Sequence, residues 1–175
     1  MALVQSELSS RILSAFNKQL ETKTSSSEAP GVPVDVADGL AQAYHLWVMS
    51  GFPTAPLTFS VPPIQQTLSS ALVVPEFKGW GPGLVAYWSP TQLTGPGFIP
   101  ANPISPSVFA AFSSLVLTLS ETVGGIISGA AADRGETPSG VADKLASALF
   151  TFTVSLSFMM TTTTMPPTTA VVPVA

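Results

Sequence analysis

Two short stretches of the chain, VADGLAQA at residues 36–43 and VADKLASA at residues 141–148, agree at six of their eight positions. Each has the apolar spacing of an amphipathic helix, and each leads into residues that alternate apolar and hydroxyl-bearing side chains. A proline pair follows both stretches, at Pro62-Pro63 and at Pro166-Pro167. The repetition predicts a helix–strand unit that the chain uses twice.

Further helices are predicted from apolar periodicity and from residues that favour helix ends. Asp35 is a good N-cap for the first repeat helix, and Ser50-Gly51 followed by Pro53 ends it. Thr137-Pro138 gives the last helix a cap and a first-turn proline, and that helix is expected to reach Phe150. The other helices are predicted over residues 3–21 and 63–73 and from Ser105 toward Gly124.

Two strands are predicted from period-two alternation. Leu57, Phe59 and Val61 alternate with hydroxyl side chains, and a second alternation runs from Phe152 to Phe158. Together these elements predict an α+β fold with four to five helices around a small, mostly antiparallel sheet. The sequence predicts one mixed α/β domain over residues 1–160, in which residues 1–33 form the N-terminal helix and its linker.

Two segments do not follow these patterns. Residues 53–106 hold eleven of the seventeen prolines and many aromatic side chains, so they are expected to form a long ordered excursion. Within it, residues 79–83 (GWGPG) predict a rigid turn that precedes an apolar strand over residues 84–88. Residues 161–175 have four consecutive threonines and three prolines, and are expected to be an extended C-terminal arm.

The charge of the chain is low and unevenly distributed. Only 9% of residues are charged, against about 25% in a typical soluble domain. Glu76 and Lys78 are the only charged residues between Gly39 and Ser120, and none follows Lys144. A surface with so little charge is poorly soluble as a free monomer, so we expect copies of the chain or other subunits to cover much of it.

Composition also argues against several classes of function. The net charge of −4 and six scattered basic residues argue against nucleic-acid binding. The chain has no cysteine, which excludes disulfides and thiol chemistry. Glu7 and Arg11 interrupt the first apolar stretch, so no signal peptide is expected, and the apolar run over residues 108–119 is too short for a membrane anchor.

No catalytic, cofactor or metal site is predicted. The single histidine, His45, lies in the first repeat helix with no acidic residue at helical spacing on its face, so it is expected to pack or to line an interface. Asp133, Glu136 and Asp143 are the only acidic cluster, and they suit helix capping better than calcium binding. A sugar-binding groove of aromatic side chains stays an alternative, although Glu76 and Gln92 are the few polar groups near it.

The first repeat helix with its exit (residues 36–51), the second repeat at residues 141–148 and the Thr/Pro tail resemble small virion structural proteins of tailed bacteriophages. Such proteins are similar in being free of cysteine, poor in charge and rich in Ser, Thr, Gly and Pro. The resemblance implies a repeated subunit of a capsid, neck or tail, held by side-by-side contacts and an exchanged terminal arm. It implies assembly in the host cytoplasm and a final location in the virion.

We therefore expect a structural subunit that associates with copies of itself and with other proteins of the same particle, without cofactors and without enzymatic activity. One alternative is a non-viral surface or partner-docking protein. A second is an enzyme whose site another subunit completes, which the small number of ionisable side chains favours less. The excursion and the tail are the predicted assembly surfaces. The interface residues predicted in them are Trp80, Tyr87, Trp88, Phe98, Ile99, Pro166, Pro167, Val171 and Val172.

Overall fold

The computed structural model describes residues 3–22, 34–73, 79–101 and 137–174. Within these ranges the chain has five helices and two small antiparallel sheets, which confirms the α+β prediction. The helices are α1 (Gln5–Thr22), α2 (Val34–Gly51), α3 (Gln65–Leu72), α4 (Trp80–Trp88) and α5 (Pro138–Val154). The strands are β1 (Thr58–Val61), β2 (Gln92–Thr94), β3 (Phe98–Ile99), β4 (Ser157–Thr162) and β5 (Thr169–Pro173).

The two repeats form α2 followed by β1 and α5 followed by β4, so both are helix–strand units as predicted. They also bury matching positions, because the same apolar spacing faces the core in both helices. Helix α1 packs against both α2 and α5 and contributes Leu8 and Ile12 to the same core. The matching buried residues are Ala37, Leu40 and Ala41 in α2 and Ala142, Leu145 and Ala146 in α5.

Helix α5 begins as predicted but ends later. The Thr137 hydroxyl accepts a hydrogen bond from the Gly140 backbone N–H at 3.2 Å, and Pro138 occupies the first turn. The helix continues to Val154, so the prediction of a strand starting at Phe152 is wrong. Phe152 and Thr153 are buried on the helix, one turn after Leu149, and the strand begins only at Ser157.

The GWGPG stretch forms the start of a helix, so the prediction of a turn followed by a strand is wrong. Pro82 is the third residue of α4, in the first turn, where a helix does not require the missing N–H. Gly79 and Gly83 allow α4 to lie directly against α3: a Cβ on Gly83 would be 2.9 Å from the Ala71 Cβ. The glycines therefore serve close packing between helices, not a turn.

The sheets are formed by segments that are distant in sequence. β1 pairs with β2, and β4 lies between β3 and β5, all antiparallel. An isolated pairing of Leu93 with Ala101 joins the chain around β2 to the residues after β3. The predicted excursion thus supplies three strands and two helices, β1, α3, α4, β2 and β3, to the fold.

The C-terminal segment, predicted to be an extended arm, forms part of a β-hairpin in the sheet of its own chain. The predicted boundary between domain and arm, after residue 160, falls inside β4. The chain then returns as β5, which pairs with β4 from Thr169 to Pro173. Intramolecular pairing satisfies the backbone groups that an exchanged arm would offer to a neighbour.

Several predicted features lie outside the described residues: the linker over residues 23–33, Glu76 and Lys78, the helix from Ser105 and the turn from Asp133 to Glu136. In the described part of the chain, none of the helices has the length and apolar character needed to cross a membrane.

Candidate functional site

A chain of buried hydrogen bonds connects α4, α2 and α5 at the centre of the core. The Trp88 Nε1 donates to the Tyr44 hydroxyl at 3.1 Å, and the Tyr44 hydroxyl lies 2.8 Å from Thr153 Oγ1. Thr153 Oγ1 donates its one hydrogen to the Leu149 carbonyl at 2.7 Å, so Tyr44 must be the donor to Thr153. Every member has a partner, which is the condition under which a buried polar network stabilises a fold.

His45 packs at the edge of this cluster. Its Nδ1 lies 2.9 Å from the Tyr87 hydroxyl, and the two rings meet edge to face at 5.9 Å. Partial burial lowers the pKa of His45 below its usual value. Burial raises the pKa of Tyr87, and the neighbouring Tyr44 raises it further. The Tyr87 hydroxyl therefore occupies the His45 Nδ1 position that a carboxylate takes in a nucleophile–histidine–acid triad.

The acidic residues of the helices hold neighbouring helices together. The Asp38 carboxylate of α2 accepts a hydrogen bond from Ser69 of α3, and the Asp143 carboxylate of α5 accepts one from Ser9 of α1. Within α1, Glu7 pairs with Arg11 at 2.7 Å. Among the described residues, no group of three or more acidic or histidine side chains could hold a metal ion.

Three of the predicted interface residues belong to the core instead. Trp80, Tyr87 and Trp88 are fully buried, because α4 is a helix that presses these side chains against α2 and α3. Their rings meet one another and Tyr44, so their faces are also unavailable for stacking on sugar rings. The Trp80 Nε1 is buried and has no hydrogen-bond partner among the residues that the structure describes. The interface and sugar-groove predictions are therefore wrong for these three residues.

The remaining predicted interface residues lie on or beside the three-stranded sheet, on both of its faces. The register pairs Met159 with Val171 and places Ile99 opposite Thr161, so Ile99, Met159 and Val171 share the outer face of the sheet. These three side chains are 50%, 37% and 66% exposed. Phe98 and Val172 point to the inner face and pack against the core, beside Phe158 and Met160, while remaining partly exposed.

The outer face, defined by Ile99, Met159 and Val171, has no charged residue near it in sequence. Residues 79–101 and 145–174 contain no Asp, Glu, Lys or Arg. Exposed apolar side chains are individually common, but surfaces that join them without charge are typical of contact sites. The outer face is therefore the part of the described structure best suited to contact another protein.

Beyond the sheet, residues 163–168 form the loop between β4 and β5, called the hairpin tip here, which holds the predicted residues Pro166 and Pro167. The Thr162 hydroxyl lies 2.9 Å from the Thr164 hydroxyl and 3.1 Å from the Thr168 hydroxyl, and it accepts from the Thr168 N–H at 2.9 Å. Thr163 donates its backbone N–H to the Gly97 carbonyl at 2.9 Å. At the end of this bonded loop, Met165 is 98% exposed.

Sequence reasoning did not single out the exposed side chains of Met159 and Met165. Met159 lay just outside the predicted strand, because the alternation was assigned to residues 152–158 whereas β4 spans Ser157–Thr162. Met165 follows four threonines and precedes two prolines, and that composition favoured a featureless arm. The informative feature was the single large apolar side chain in an otherwise polar turn.

Comparison with known proteins adds no relative: no family model, curated protein or solved structure matches the chain. Its function is inferred from the residues and contacts described above.

Proposed function

We propose that this protein is a structural subunit of a larger assembly, a component of the capsid, neck or tail of a tailed-phage particle. It associates with copies of itself and with neighbouring subunits through the outer face of its three-stranded sheet. The observation that carries the proposal is the exposure of Ile99, Met159 and Val171 on one uncharged sheet face.

The energetics of this face favour association with another apolar, uncharged surface. Burying an exposed apolar side chain contributes about 1.5–3 kcal/mol when burial is complete. Charged groups would offset that gain, because moving them out of water is costly unless they are paired. None of the strand residues that form the outer face is charged, so these strands meet a partner surface without desolvating or opposing a charge of their own.

The polar groups of the described residues support a structural role over catalysis. The Asp38 and Asp143 carboxylates join helices, and the Tyr44 hydroxyl is bonded on both sides inside the core. Catalytic groups need a reacting atom within hydrogen-bond reach. Side chains whose polar atoms already bond within the fold contribute to its stability.

Sedimentation velocity of the purified chain tests self-association. We expect a discrete oligomer for the unmodified chain and a shift toward monomer for Val171→Lys, which places a charge on the outer face. Val4→Lys is the matched control, because Val4 is also an exposed valine (49%) but lies before α1. A chain that stays monomeric at every concentration, or a Val171→Lys variant that associates normally, would contradict the proposal.

The virion assignment has its own test. Genes for a portal, sheath or major capsid protein beside the gene for this chain would support a particle subunit. A neighbourhood of cell-surface genes, together with a monomeric chain, would instead favour the alternative of a non-viral partner-docking protein.

A further inference from the structure

The hairpin tip is held in one shape by its own hydroxyl groups. The Thr162 side chain connects both ends of the loop through Thr164 and Thr168, and the Thr163 hydroxyl and N–H both reach the Gly97 carbonyl. Gly97 has φ +79°, a left-handed conformation that side chains rarely adopt, so the turn that receives Thr163 requires glycine. The fold thus fixes the position of a loop whose apex side chain, Met165, touches almost nothing in its own chain.

We propose that the hairpin tip docks onto the outer face of a second copy of the chain, with Met165 as its apolar anchor. This inference rests on the proposed function and specifies the contact. A loop fixed before binding loses little conformational freedom on docking, so most of the gain from burying Met165 remains. The flexible, polarisable thioether of methionine adapts well to a surface built from other apolar side chains.

Charge favours a copy of this chain as the partner. The hairpin tip and both strands beside it lack ionisable side chains, so nothing in them attracts lipid phosphates or nucleic acid. Its threonine hydroxyls already bond with one another, which lowers the cost of removing them from water. The matching surface is apolar and uncharged, and the chain displays such a surface in Ile99, Met159 and Val171.

The contact has a geometric consequence. The hairpin tip and the outer face are two different surfaces of the same chain, so tip-on-face docking is heterologous, and each copy can both give a tip and receive one. Repeated contacts of this kind close into a ring or continue as a filament. A ring or a filament of copies is a repeated assembly of the kind that the proposed function describes.

Sedimentation velocity of the full chain and of its single-residue variants tests this contact. We expect Met165→Ser to weaken self-association by roughly 10- to 100-fold. Met49→Ser is the matched control, since Met49 is 43% exposed on α2 and should leave association unchanged. Far-UV circular dichroism and melting temperature report whether Met165→Ser folds; a variant with an altered melting temperature is replaced by Met165→Gln.

A mixing experiment separates tip-on-face docking from a symmetric contact. Val171→Lys keeps the hairpin tip and damages the outer face, while Met165→Ser keeps the outer face and damages the tip. Each is expected to be monomeric alone, and their equimolar mixture should form a dimer that grows no further, because one intact contact remains. The absence of such a dimer overturns the inference.

The other outcomes are also decisive. If Met165→Ser associates like the unmodified chain while Val171→Lys does not, the tip is not the anchor, but the proposed function stands. If the unmodified chain never associates, both fail. Met165-dependent sedimentation of a monomeric chain with neutral phosphatidylcholine vesicles would identify a lipid surface as the partner and overturn docking between copies.

Discussion

The hydroxyl groups of Tyr44 and Thr153, which are 109 residues apart in sequence, lie 2.8 Å apart in the core. Both residues are fully buried. The bond joins α2 to α5, the helices of the two repeats, and Trp88 of α4 completes it by donating to Tyr44. These two hydrogen bonds therefore connect three helices inside a mostly apolar core.

Tyr44→Phe is expected to destabilise the fold by about 1–3 kcal/mol, because it leaves the Trp88 Nε1 buried without an acceptor. Chemical denaturation followed by circular dichroism measures the change. Thr151→Val is the control. The Thr151 hydroxyl donates to the Ser147 carbonyl, as the Thr153 hydroxyl does to the Leu149 carbonyl, but it lies on the exposed side of α5. Its replacement should change the free energy of unfolding by no more than about 0.5 kcal/mol. Equal losses in the free energy of unfolding would show that the buried network stabilises the fold no more than an exposed hydrogen bond does.

Gly83→Ala is expected to cost about 1–3 kcal/mol, since the added methyl group would overpack the contact between α3 and α4. The new Cβ would lie 2.9 Å from the Ala71 Cβ and 3.0 Å from the Leu68 Cδ1. Gly140→Ala provides the comparison in α5, where the nearest atom is 3.5 Å away. An unchanged melting temperature for Gly83→Ala would argue against the close helix contact.

Trp88→Ala is expected to lower the free energy of unfolding by about 3–5 kcal/mol, because it opens a cavity and removes a donor to Tyr44. The interface role predicted for Trp88 from the sequence would instead make this substitution lower association more than monomer stability. Thermal unfolding of the variant distinguishes the two roles. An unchanged melting temperature for Trp88→Ala would contradict the buried position of Trp88.

Alkaline titration is expected to be cooperative. Both tyrosines of the chain are buried, and burial raises the pKa of each above the value of about 10 found in unfolded chains. Above that pH the unfolded state releases protons that the folded state retains, so stability falls as the pH rises. Tyrosinate absorbance should therefore appear together with loss of circular dichroism. Ionisation near pH 10 in a chain with a native spectrum would contradict the buried positions.

The sequence predicted the elements whose local preferences agree with their packing. The repeats of α2 and α5, the cap at Thr137 and the strand at Phe59 follow from spacing and end residues, and the structure confirms them. The fold class followed from the same patterns. These elements could be predicted without knowing which residues they pack against.

The misassigned elements depend on distant neighbours. Gly79, Pro82 and Gly83 resemble a turn, and only the position of Ala71 in α3 explains why glycines occur in a helix there. Over so short a window, the pattern from Phe152 to Phe158 fits a strand as well as a helix. The helix continues to Val154 because it places Thr153 in the core, where its hydroxyl bonds with Tyr44. The burial of Trp80, Tyr87 and Trp88 was missed for the same reason, because the predicted turn and strand left these side chains available to a partner.

Methionine oxidation by dilute peroxide, mapped by mass spectrometry at rising protein concentration, tests self-association through the sheet most directly. Exposed thioethers oxidise readily, so Met165 should react fastest in the dilute chain and the buried Met160 slowest. As concentration rises, we expect Met165 and Met159 to become protected while Met49 on α2 keeps its rate. Rates at Met159 and Met165 that do not change with concentration would contradict assembly through this surface.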